Sequence, residues 1–138
     1  MYLPDVEAGE NPQDPLSTFY SSIWFTKGWT LQELLAPAEV RFYDRSCVFL
    51  GTKKDLCDTI EGITGIPRAI LAGTQELHHA SVAQRLSWVS GRKTKQEEDQ
   101  AYCLQGLFDV ALQIRYGEGI ETAFRRLQEQ IMTSPHCR

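Results

Sequence analysis

Hydrophobic positions in this chain fall into several short helical stripes and one alternating stretch. The cleanest stripe is Ile120, Ala123, Phe124, Leu127 and Ile131, which recurs at helical spacing and predicts an amphipathic helix. Val82, Leu86 and Val89 form a second stripe, opened by Ser81 and Gln84 in the pattern of a capping box. Ala101, Leu104, Leu107 and Phe108 form a third, predicting a helix over 97–110. Thr52 with Asp55 predicts a cap for a helix carrying Leu56 and Ile60, broken at Gly65-Ile66-Pro67 before another short one. Val40 to Asp44 alternates and is rich in β-formers, and Cys47 to Leu50 is apolar; with turn residues 44–46 between them they predict a β-hairpin closed at Gly51.

Nearer the N-terminus, residues 2–6 read as the end of a strand and residues 7–14 as a loop. Asp14-Pro15 has the order of an N-cap and first-turn proline, which predicts a short helix through Phe19 and Tyr20. Trp24 and Trp29 stand five residues apart around a Lys-Gly step, and the run from Leu31 to Ala36 predicts a helix over about 29–36, stopped by Pro37. The fold class is therefore α+β, predominantly helical with a small β-hairpin, in one domain over 1–138.

Composition narrows the function classes. A hydrophobic content of 42% is enough for a packed core. A net charge of −4 argues against nucleic-acid binding, which needs clustered Lys and Arg. No run of 18 apolar residues exists, so no membrane-spanning helix is expected. The four cysteines lack CxxC spacing; three sit among apolar neighbours and read as buried thiols of a reducing compartment, the cytoplasm. His78 and His79 are adjacent with no further ligand at metal spacing, so no metal is expected.

Glu33 is the sharpest candidate for chemistry. It follows Trp29 by four residues, on one helix face, where an indole would desolvate the carboxylate and raise its pKa. The alternative is a helix-forming surface residue or an ion-pair partner for Arg41 or Lys27. Trp24, Trp29 and Trp88 read as core anchors, with base stacking as the alternative. Tyr43, Asp44 and Arg45 sit at the hairpin turn, either holding it or touching a ligand. Arg92, Glu98 and Asp99 bracket a helix start, as caps or as a polar cluster. Gly117 and Gly119 in Tyr116-Gly-Glu-Gly mark a turn with positive φ.

Seven blocks then occur in one order: WFTKGWTLQELLAP from Trp24, FYDR at 42–45, GTK at 51–53, ITGIP at 63–67, SVAQRLSW at 81–88, EDQAYCLQGLFDV at 98–110 and YGEG…AFRRLQEQI at 116–131. This series resembles the fungal heterokaryon incompatibility (HET) domain, over 24–131. Where the family shows Arg-x-Thr-Thr-Arg, Arg92 and Thr94 remain but Lys95 and Gln96 replace the last two positions. The resemblance implies a part in fungal self/non-self recognition and programmed cell death, with protein partners or self-association. It implies a further N-terminal portion, so the chain reads as the C-terminal part of a truncated domain, with its N-terminal strands missing and an exposed apolar face where they would pack. The family's relation to TIR domains implies a partial α/β, TIR-like character. There Trp29-Thr30-Leu31-Gln32-Glu33-Leu34 matches the helix bearing the catalytic glutamate, apart from Thr30. That likeness implies NAD as a substrate rather than a cofactor.

Overall fold

The computed structural model describes residues 1–90, 92–108, 110 and 112–133. They divide into two compact units: Met1–Thr26 with Pro37–Glu76, and Lys27–Ala36 with Leu77–Arg138. Strands β1 (Arg41–Tyr43) and β2 (Phe49–Thr52) pair with helices α1 (Thr30–Leu35), α2 (Cys57–Thr64), α3 (Arg68–Leu71), α4 (Val82–Ser90), α5 (Asp99–Tyr102) and α6 (Ile120–Thr133) to make a helix-rich α+β chain, as the sequence patterns predict.

In the first unit, β1 and β2 pair antiparallel, with Arg41 opposite Thr52 and a bulge between Phe42 and Tyr43. Gly51 lies within β2, so the hairpin closes earlier than expected. Asp44 makes the turn: its Oδ1 accepts the N–H groups of Ser46 at 2.9 Å and Val48 at 3.0 Å. Cys47 takes φ 62° there, a conformation that costs an L-residue roughly 1–2 kcal/mol. Tyr2 bridges Tyr43 in parallel, so the N-terminal segment does end as strand-like pairing. The core is an aromatic cluster. Phe42 of β1 meets Phe19 and Trp24 edge-to-face at centroid distances of 5.6 and 5.5 Å, and Phe25 closes on Phe19 at 5.2 Å.

The helix expected after Asp14 does not form. Asp14 caps a turn, its Oδ1 accepting the Leu16 N–H at 3.0 Å. Thr18 and Ser22 then bond Glu10 and Asp5 through their hydroxyls at 2.8 and 2.9 Å. Such side-chain bonds compete with a helical ladder, and turns result. The chain turns helical only as a 3₁₀ segment at Ile23–Thr26. By contrast, Thr52 and Asp55 form the expected reciprocal cap, each N–H meeting the other's side-chain oxygen at 3.1 Å.

In the second unit, Ser81 and Gln84 cap α4 in the same reciprocal way. The helix expected over 97–110 stops at Tyr102, and turns follow. Gln32 of α1 supplies the reason. Its amide donates to the Cys103 carbonyl at 2.6 Å and lies 3.4 Å from that of Tyr102. In an α-helix those carbonyls would accept from Gly106 and Leu107. Instead the Leu107 N–H turns to Leu104 O at 3.0 Å. Gly106 permits this approach, because a Cβ there would stand 3.2 Å from Gln32 Cδ. Of the described cysteines only Cys103 is buried; Cys47 is exposed in the hairpin turn and Cys57 half-buried, so three buried thiols are not found.

Replacing Gln32 by Ala removes its 2.6 Å bond to the Cys103 carbonyl. We expect a loss of about 1–3 kcal/mol in urea unfolding, the range for leaving a buried polar group unpaired. An unchanged midpoint would show that water serves the carbonyl equally well.

Candidate functional site

The second unit holds most of the candidate residues, in two polar groupings. The first is built on Arg92, which is only 6% exposed. Its Nε donates to the Trp88 carbonyl at 3.1 Å, near the C-terminal end of α4, where the helix dipole favours a cation. Its Nη1 donates to Lys27 O at 2.9 Å and reaches Thr30 Oγ1 at 3.2 Å. Among the described residues no carboxylate pairs with it, and Nη2 has no partner. Burial accordingly lowers the guanidinium pKa to about 10. Segment 27–30 is tied down further by a parallel bridge between Lys27 and Lys93. Packing is tight here: a Cβ on Gly28 would lie 2.4 Å from Thr94 Cγ2 and 3.0 Å from Cys103 Sγ. The Cys103 thiol is pushed up to about 12, chiefly by burial and then by Asp99, so it is no nucleophile near neutrality.

Arg92 thus fixes the start of α1, and Gln32 fixes its middle. Glu33, next to Gln32 on α1, is exposed, while Trp29 is half-buried. Burial against an indole, expected from the spacing, is not what Glu33 has; it is a solvated carboxylate. Arg41, considered as its partner, pairs with Glu39 at 3.2 Å.

The second grouping joins the expected helix start to the expected glycine turn. Glu98 and Asp99 are buried, with Asp99 opening α5. Glu98 Oε2 accepts the Gly117 N–H at 2.8 Å, and Asp99 Oδ1 accepts the Tyr116 hydroxyl at 2.8 Å. Gly117 and Gly119 have φ of 95° and 89°, which suits glycine and lets the loop present its N–H to the carboxylate. Tyr102 donates to Glu118 and accepts the Arg115 N–H at 3.0 Å. Arg126 of α6 closes the network with two bonds to Glu118, at 2.6 and 3.0 Å. That pairing, with the Tyr102 bond, holds the Glu118 pKa below its ordinary 4.5.

Sequence reasoning missed Gln32, Arg85, Tyr102, Glu118 and Arg126. Arg85 was the most legible. It follows Val82 by three residues and precedes Val89 by four, which places it on the inward stripe of α4. It is 3% exposed, donates to Leu107 O at 2.9 Å and lies 4.5 Å from the Phe108 ring centre. Trp88 is likewise buried in this unit.

Tyr43, Asp44 and Arg45 lie in the first unit. Tyr43 exchanges backbone bonds with Met1 and Leu3, and Asp44 makes the hairpin turn. Arg45 pairs with Glu7 on the surface at 2.8 Å. Trp24 belongs to the aromatic core of that unit. Among the described residues no three His, Cys, Asp or Glu side chains gather as metal ligands, and no helix is long and apolar enough to cross a membrane.

The chain is 42% identical over 141 residues to the "Vegetative incompatibility protein HET-E-1" of Podospora anserina. The resemblance to fungal heterokaryon incompatibility proteins is borne out. The match covers 99% of this HET-type chain but only 10% of that protein, so the chain spans about a tenth of its relative's length. No protein-family profile matches the chain, and no solved structure does.

The Arg126–Glu118 pairing predicts an acid-sensitive contribution to stability. A depressed carboxylate pKa stabilises the fold above the ordinary value of 4.5, and that contribution is lost as pH falls through the depressed one. Urea midpoints of wild type at about pH 7 and about pH 3 should therefore differ more than those of Arg126→Gln. An identical difference in both proteins would remove the pairing as a cause of acid lability.

Proposed function

We propose that this chain serves in fungal self/non-self recognition, signalling cell death in the cytoplasm through contact with a protein partner or a second copy of itself. One observation carries this reading: 42% identity along 99% of the chain to a segment of a vegetative incompatibility protein. The polar groups of the second unit agree with it. Arg92, Glu98, Asp99 and Glu118 are engaged in holding segments together, which suits a surface-presenting scaffold better than a reaction centre.

A second reading is a TIR-like NAD glycohydrolase with Glu33 as its carboxylate. It is favoured by one feature: Trp29-Thr30-Leu31-Gln32-Glu33-Leu34 forms a helix start with Glu33 free of the anchoring bonds that engage Gln32. In that role Glu33 would hold the ribose hydroxyls and stabilise an oxocarbenium-like transition state.

Induced expression in a fungal host should arrest growth under the signalling reading, in wild type and in Glu33→Ala alike. Unimpaired growth at high expression would overturn it. Nicotinamide release from NAD by purified wild type, lost in Glu33→Ala, would instead establish the enzymatic reading; no release by either folded protein removes it.

A further inference from the structure

Between α4 and α6 lies an open trough of about 690 Å³, lined among the described residues by ten of the second unit. Val82, Leu86 and Val89 wall one side, and Phe124, Leu127 and Ile131 wall the other. The polar lining is Ser90, Gln100 and Gln128, and no charged side chain is among the ten. Ser90 gives its proton to Ser87 O at 2.9 Å. The α4 wall runs from Val82 to Ser90, about 12 Å along a helix rising 1.5 Å per residue.

The geometry points to a binding site for an uncharged, mostly aliphatic small molecule with one hydrogen-bonding head group. Two features select that class. The volume falls within the roughly 300–1,000 Å³ of small-molecule pockets. Walls without charge offer an ionic ligand no compensation for lost hydration, whereas the amides of Gln100 and Gln128 suit a hydroxyl or ester. This site is separate from Glu33 and from both polar groupings, so it stands independently of either functional reading.

The test uses the full chain and the uncharged dye N-phenyl-1-naphthylamine. Saturable fluorescence enhancement is expected, reversed by 1-decanol, with decanoate and decylammonium at least about tenfold weaker as competitors. Ser90→Trp, which fills the trough, and Gln128→Arg, which charges its wall, should each weaken dye binding about tenfold. Both positions are exposed on helices, so urea midpoints and helical circular dichroism should stay near wild type and separate lost binding from lost folding. The proposal fails if binding does not saturate, if the charged competitors match decanol, or if both folded variants bind like wild type. It also fails if the chain sediments as a dimer that excludes the dye, since a second copy would then be the occupant.

Discussion

A helix of six residues cannot sustain itself in water, because nucleation costs more than so few hydrogen bonds return. Helix α1, Thr30–Leu35, is that short and has no side-chain cap. Its order must come from outside. The Arg92 guanidinium reaches the carbonyl of Lys27 and the hydroxyl of Thr30, and binds the end of α4 with its remaining engaged nitrogen. Gln32 adds bonds to the carbonyls of Tyr102 and Cys103, and Leu31 and Leu34 are fully buried. The residues most specific to this family resemblance are thus held as a platform by the residues behind them. The cost is a buried cation without a carboxylate, which explains why its pKa falls to about 10.

The same unit solves a second problem in the same way. The loop at 116–119 needs two glycines with positive φ, and such a loop has little intrinsic order. Buried carboxylates at Glu98 and Asp99 accept its N–H and hydroxyl groups, while Arg126 and Tyr102 hold Glu118. The start of α6 is thereby fixed relative to α5. Both groupings use charge-assisted bonds, which are stronger than neutral ones, to set short segments that packing alone would leave loose.

What could be read from the sequence was local. The Thr52–Asp55 and Ser81–Gln84 caps are three residues apart, so both partners are visible in one glance at the chain, and both form. The α6 stripe and the positive φ of Gly117 and Gly119 are likewise properties of neighbours. The errors arose where distant residues intervened. Periodicity extended α5 to residue 110 because it could not see Gln32, seventy-one positions away, taking the Cys103 carbonyl. Asp14-Pro15 looked like a helix start because the competing bonds from Thr18 and Ser22 depend on Glu10 and Asp5. Glu98 and Asp99 read as caps or as a polar cluster with no partner named, since their partners come nearly twenty residues later. Glu33 was the reverse case: the spacing to Trp29 was right, but spacing does not fix burial.

The platform view of α1 depends on Arg92. Amide hydrogen exchange measures it directly, by comparing wild type with Arg92→Met under native conditions. Protection within Thr30–Leu35 should collapse in the variant while that of α6 persists, because α6 has fourteen residues and its own buried stripe. Protection of α1 that survives the substitution unchanged would contradict the account and leave the helix to be explained by its buried leucines alone.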